Sequence, residues 1–205
     1  MKNVNKLDFW EDIYKKDDIG WDLNGPTPTF EKIAPKLKPG KVIILGCGRG
    51  HDAIIFAKLG FEVTAVDFAP SAVTYLKSLC EKKNVKVNII QNDIFLLSKS
   101  LNNHFDYVIM SGTYNLSMTR DVLEWEEYFF KCLSECWKFT SEAMIFNLQV
   151  PNQQRVSDNN IYFAEPSRVI DRCVSSFGPT RTVKSEDLPN DITFTVVNSN
   201  HLNSA

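Results

Sequence analysis

The sequence predicts an α/β fold: a three-layer sandwich in which a seven-stranded, mostly parallel sheet with an antiparallel last strand carries helices on both faces. Three observations predict it. Apolar, β-branched runs of strand length alternate with helical stripes along most of the 205 residues. A glycine-rich turn, GCGRG at 46–50, follows the first run, and an acid, Asp67, ends the second. Two final runs, at 180–184 and 192–197, lie close enough in sequence to pair antiparallel.

Residues 41–67, KVIILGCGRGHDAIIFAKLGFEVTAVD, organise the rest. The run VIIL, the turn, the helical spacing of Ala53, Phe56 and Ala57, and the run 61–66 make a Rossmann-like half-site for a nucleotide cofactor. Gly46, Gly48 and Gly50 let the chain turn sharply and bring backbone N–H groups close to a ligand, with Cys47 between them. Asp67, followed by Phe68, stands where a carboxylate can accept hydrogen bonds from two ribose hydroxyls, each about 1.5–3 kcal/mol. The dinucleotide fingerprint is G-x-G-x-x-G; here the order is G-x-G-x-G, and His51 takes the place of the third fingerprint glycine. A ligand with adenosine and a short zwitterionic tail, S-adenosylmethionine, therefore fits better than a pyrophosphate. NAD is the alternative.

With 43% hydrophobic and 23% charged residues the chain has a globular composition and length enough for one domain with a substantial core. A net charge of −2 speaks against the basic face that nucleic acid requires. Lys82, Lys83 and Lys86 flank a helix end, where cations are solvated and favoured. Five cysteines, no apolar signal segment in MKNVNKLDFW and no run of ~18 apolar residues predict reduced thiols in the cytoplasm and no membrane span. Cys132 and Cys136 lie one helical turn apart without a nearby histidine, so they are expected in the core and no metal is expected.

From the start, Leu7, Trp10, Ile13 and Tyr14 have the spacing of a short helix with an aromatic face, and Trp21 falls in a turn. Trp21 is either a plug over the core or part of a lid whose aromatic faces lie against a cation. Phe30, Ile33, Ala34 and Leu37 predict a packing helix ended by Pro39 and Gly40. After Asp67, Pro70 opens a helix with Ala72, Val73, Leu76, Leu79 and Cys80 on one face. A third strand is expected at 85–90. It leads to Asp93, able to accept from an adenine amino group, and to Ile94 or Phe95, able to cover the ring. The fourth strand, Phe105–Met110, runs into Ser111, Gly112, Thr113, Tyr114 and Asn115, across the cleft from Gly46. Val122, Trp125, Phe129, Leu133 and Cys136 make a core-facing helical stripe. A fifth strand at 143–150, a polar loop at 151–160 and a helix at 166–177 precede the two final strands.

Three stretches, FWEDIYKKDDIGWDLNGPTP, VIILGCGRGHDAIIFAKLGFEVTAVDFAPSAV and NDIF, carry a resemblance. The whole pattern resembles class I S-adenosylmethionine-dependent methyltransferases. The first ~115 residues resemble, more narrowly, the thiopurine S-methyltransferase and thiol (halide) methyltransferase superfamily. The resemblance implies an arm at 1–40, part of the same domain, that closes over the cofactor, and a methyltransferase domain at 41–197; the polar residues 198–205 read as a tail. It assigns Trp10, Tyr14, Trp21, Gly46, Asp67, Asp93, Ile94 and Ser111 to the cofactor. The second half does not follow the superfamily closely, and the turn SGTYN lacks the N-P-P-Y sequence of many amino-group methyltransferases.

The expected reaction is in-line methyl transfer to a small-molecule acceptor, a thiol or other soft nucleophile, with O- and N-acceptors as alternatives. An NAD-dependent oxidoreductase and a non-catalytic cofactor-binding module are the rival classes. Histidine offers little as a base: His51 lies in the cofactor helix, His104 before a strand and His201 in the tail. Tyr114 and Asn115 are the acceptor-side candidates by position. Monomer and homodimer stay open.

Overall fold

The computed structural model describes residues 6–94, 104–150 and 154–199. The order is α1 (Leu7–Lys15), α2 (Pro28–Ile33), a 3-10 turn (Ala34–Lys36), β1 (Lys41–Leu45), α3 (His51–Lys58), β2 (Glu62–Asp67), α4 (Pro70–Lys83) and β3 (Asn88–Gln91). Then follow β4 (Phe105–Met110), α5 (Val122–Trp137), β5 (Thr140–Gln149), β6 (Arg155–Val156), β7 (Tyr162–Phe163), α6 (Pro166–Ser176), β8 (Thr180–Ser185) and β9 (Leu188–Val197).

The seven strands run β3-β2-β1-β4-β5-β9-β8, parallel from β3 to β5, with β9 antiparallel to both neighbours. This is the expected fold. Central β1 is apolar on both faces because both are covered, and Val42, Ile43, Ile44 and Leu45 are buried. One face packs Ile43, Met144, Phe146 and Phe194 against Phe129 and Leu133 of α5. The other packs Val42, Ile44 and Ile145 against Phe30, Phe56 and Leu76. Strand order reverses between β1 and β4, so their C-terminal ends open a crevice where ligands bind in such sheets.

Several boundaries differ from expectation for local reasons. The third strand begins at Asn88 because Asn84, in the left-handed conformation, caps α4 and the Val85 N–H returns to the Cys80 carbonyl at 3.1 Å. The helix around Phe30 stops at Ile33, and the chain tightens into the 3-10 turn holding Pro35, which has no N–H to donate. The polar loop after β5 contains half a hairpin: Arg155 pairs with Phe163 and Val156 with Tyr162. Residues 151–153 and 200–205 lie outside the described residues, as do Phe95 and His201. Among the described residues no helix is long and apolar enough to cross a membrane, and no group of His, Cys, Asp and Glu is arranged to hold a metal.

Candidate functional site

The crevice is built from the β1 turn outward. Gly48 and Gly50 have φ of +53° and +77°, the left-handed region in which a side chain is strained. A Cβ on Gly50 would stand 2.2 Å from Leu76 Cδ1 of α4, so the turn packs directly on that helix. A Cβ on Gly48 would stand 2.9 Å from the Tyr14 hydroxyl, so the space over this glycine belongs to the N-terminal arm. At Gly46, a Cβ would meet Thr113 Cγ2 at 3.0 Å; the Thr113 hydroxyl donates to the Leu45 carbonyl at 3.0 Å and ties the β4 turn to the end of β1.

Asp67 is 5% exposed and fastens three segments together. Its Oδ2 accepts from the Gly48 N–H at 2.8 Å and its Oδ1 from the Ala69 N–H at 3.0 Å. Burial pushes its carboxyl up, against the pull of these backbone donors. The Phe68 N–H also bears on this carboxylate. Cys47 lies half-buried in the turn with its thiol pushed well up by burial and by Asp67, an environment that disfavours the thiolate.

The arm lies over this turn. Trp10 and Trp21 meet edge to face at 5.5 Å, and Tyr14 meets Trp21 likewise at 6.3 Å. Burial and the Asp67 carboxylate push the Tyr14 hydroxyl far up, which keeps it a neutral donor. Two contacts not legible in the sequence hold the arm down. Glu11 accepts from the Ser71 N–H at 2.9 Å and the Ser71 hydroxyl at 2.7 Å. Arg49 pairs with Asp17 and with Asp22 and lies 4.6 Å over the Tyr75 ring. His51, whose Nε2 stands 3.3 Å from Asp22 Oδ1, belongs to the same cluster.

At the C-terminal end of β4, Ser111 Oγ and Thr27 Oγ1 lie 2.8 Å apart. Buried Asp52 accepts from the Thr27 N–H at 2.7 Å and the Thr27 hydroxyl at 3.0 Å, and the Ser111 hydroxyl bears on the same carboxyl. Beyond Ser111, Asn147 Oδ1 accepts from the Gly112 N–H at 2.6 Å, and Asn147 Nδ2 donates to Asp191 Oδ2 at 3.0 Å. Phe68, Asp93 and Ile94 are half-buried at the ends of β2 and β3, with Ile94 packed on the α5 side of the core.

Tyr114 and Asn115 depart from the expected acceptor-side role. Tyr114 is 4% exposed and packs edge to face on Phe129 of α5 at 5.0 Å. Its hydroxyl faces the Cys132 thiol and has no conventional hydrogen-bond partner among the described residues. The reason is apolar burial: the ring joins the core cluster that holds Phe129, Cys132 and Phe146. Asn115 Oδ1 accepts from the Gln149 N–H at 3.1 Å and its carbonyl from the Tyr162 N–H at 2.8 Å, so it joins β5 and β7 to the turn. The open concavity lined by Phe61, Glu62, Lys77 and Val87 lies at the opposite, N-terminal end of β2, away from this site.

The model of the thiopurine S-methyltransferase family matches residues 5–112, which span the arm, the glycine turn, Asp67 and Ser111. The chain belongs to that family. It is 26% identical over 99 residues to the probable S-adenosyl-L-methionine-dependent methyltransferase TehB of Haemophilus influenzae, covering 48% of this chain and 33% of TehB. It is 29% identical over 93 residues to a thiopurine S-methyltransferase of Pseudomonas fluorescens, covering 44% of this chain and 40% of the relative. The matched segments thus span well under half of these relatives. Magnesium protoporphyrin IX methyltransferase from Synechocystis, solved with bound S-adenosylmethionine, shares the fold over 97% of this chain and 85% of its own, at a TM-score of 0.61 and 15% identity.

Proposed function

We propose that this chain is an S-adenosylmethionine-dependent methyltransferase acting on a small-molecule acceptor, with sulfur as the favoured acceptor atom. The observation that carries the proposal is the convergence of Tyr14 and Asp67 on Gly48. A hydroxyl from the arm and a carboxylate from β2 meet at the central glycine of the turn after β1. Membership of the thiopurine S-methyltransferase family supports both the cofactor and the acceptor atom.

In this reading Asp67 accepts from the two ribose hydroxyls, and the turn of Gly46, Cys47, Gly48 and Gly50, whose Cys47, Gly48 and Gly50 N–H groups are engaged within the protein, offers its remaining backbone groups, the Gly46 carbonyl among them, to the amino-acid tail. Asp93 receives the adenine amino group, and Ile94 and Phe68 line the ring. Trp10, Tyr14 and Trp21 present aromatic faces to a sulfonium, a contact of roughly 0.5–2 kcal/mol. Ser111 adds a cofactor contact from the turn after β4. S-adenosylmethionine, when bound, supplies an electrophilic methyl carbon. The chain's own contribution is to hold two reactants in line in a site that the arm shields from water, which can amount to ~7–11 kcal/mol.

The test is release of S-adenosylhomocysteine from S-adenosylmethionine in the presence of a thiol panel, an amine panel and a phenol panel. Turnover with thiols ahead of the others is the expected result. Tight cofactor binding without turnover on any panel would replace the enzyme by a cofactor-binding module.

A further inference from the structure

Among the described carboxylates withdrawn from solvent near the sheet, Asp67, Asp52, Glu126 and Asp191 differ in their partners. Asp67 has both oxygens on backbone N–H groups, and Asp52 has both on Thr27. Glu126, on α5, is engaged by Tyr162, Gln154 and Arg168. Asp191 differs. It is half-buried, and the hydrogen bond it makes among the described residues is from Asn147 Nδ2 to its Oδ2.

Its position follows from strand pairing. β9 is antiparallel to β5, and Asp191 stands opposite Gln149, the last residue of β5. It therefore lies at the C-terminal edge of the parallel strands, the edge at which the crevice opens. Opposed residues share a face, so Asp191 lies on the same face as Asn147, two places along. The Asn147 amide fixes the carboxylate one side chain away from the Gly112 N–H, beside Ser111.

We propose that Asp191 is the proton acceptor for the methyl acceptor, and that the acceptor is a protic one such as an aliphatic thiol; this rests on the methyltransferase reading above. The S–H proton passes to the Asp191 carboxylate as the sulfur bonds to the methyl carbon. The bond from that carbon to the sulfonium breaks with its electron pair remaining on the departing sulfur, and Asp191 then gives the proton to water. Carboxylate and sulfonium charges are both lost, so charge balances.

Burial pushes the Asp191 carboxyl up, while the Asn147 amide pulls it down by less. The cations Lys32 and Lys184 are engaged elsewhere or offset in register. Lys32 of α2 reaches Asp187 at 3.0 Å, and Lys184 on β8 stands in register with Ile192 rather than Asp191. A carboxylate whose proton affinity is raised by burial is better matched to a thiol proton than an ordinary aspartate.

The test compares wild type and Asp191→Asn with two probes, 2-mercaptoethanol and iodide, following S-adenosylhomocysteine release. Iodide carries no proton, so it needs no base. The ratio of thiol to iodide turnover is expected to fall by about 100-fold in the variant. Calorimetric affinity for S-adenosylhomocysteine and the melting temperature should stay near wild type. By carbon-13 NMR, the Asp191 carboxyl should titrate above the ordinary ~3.9 of aspartate. An unchanged ratio, a titration at or below the ordinary value, or equal loss with both probes overturns the assignment. Binding of S-adenosylhomocysteine with turnover of neither probe overturns the thiol class while leaving the cofactor reading in place. No binding of S-adenosylhomocysteine to wild type overturns the methyltransferase reading itself. Should Asp191→Asn melt early, Asp191→Ser and the NMR titration of wild type carry the comparison.

Discussion

Glu11 accepts two hydrogen bonds from Ser71, sixty residues away, one from the backbone N–H at 2.9 Å and one from the hydroxyl at 2.7 Å. The pair pins the N-terminal helix to the first turn of α4, beside the loop that leaves Asp67. The arm is thus attached to the same junction that is proposed to hold the cofactor.

Acid should release the arm. Burial pushes the Glu11 carboxyl up, but the hydrogen bonds from Ser71 and the Lys15 ammonium outweigh it and hold the group below its ordinary value. A depressed acid contributes docking free energy that is fully present above the ordinary ~4.3 of glutamate and is lost as pH falls through the lowered value. Tryptophan emission from Trp10 and Trp21 should therefore shift to the red between about pH 5 and about pH 3, before global unfolding. Glu11→Ala should show the shifted spectrum already at neutral pH. Identical spectra for the two proteins would detach Glu11 from arm docking.

The two glycines should respond differently to alanine. Gly50→Ala adds a methyl group 2.2 Å from Leu76 in the core at a φ of +77°, so strain of ~1–2 kcal/mol combines with overpacking of ~1–3 kcal/mol. Gly48→Ala meets the hydroxyl end of Tyr14, which can swing away, so only the backbone strain of ~1–2 kcal/mol remains. Urea unfolding should rank Gly50→Ala as the less stable variant, and arm fluorescence should change in Gly48→Ala alone.

Trp21 is 51% exposed and contacts Trp10 and Tyr14 by ring edges, which favours the lid over the core plug. Trp21→Ala should change unfolding free energy by no more than ~1.5 kcal/mol and keep the melt cooperative. Affinity for S-adenosylmethionine should fall by roughly 0.5–2 kcal/mol. Loss of a cooperative melt would restore the core-plug reading.

What the sequence discloses follows the range of the interactions. Gly46, Gly48, Gly50 and Asp67 fall within one strand–turn–helix–strand unit, and their pattern is visible in a window of about thirty residues. The sheet is equally legible, because strands buried on both faces are continuous apolar runs. The hairpin of Arg155–Val156 with Tyr162–Phe163 is hidden, since two-residue strands have no periodicity. Asn147 and Asp191 are 44 residues apart and meet only through antiparallel register. Tyr114 misleads for the opposite reason. A residue in a turn at a sheet's C-terminal end is expected to face the crevice, and only the packing of Phe129 and Cys132 reveals that it turns inward.

Calorimetric titration of the purified protein with S-adenosylhomocysteine, run beside NAD and repeated on Asp67→Ala, tests the central claim most directly. The account predicts binding to S-adenosylhomocysteine alone, near −8 kcal/mol as for a micromolar complex. It also predicts a loss of roughly 2–4 kcal/mol in Asp67→Ala, from two hydrogen bonds to a charged group. Binding to NAD alone, or undiminished binding by a folded Asp67→Ala, would contradict it.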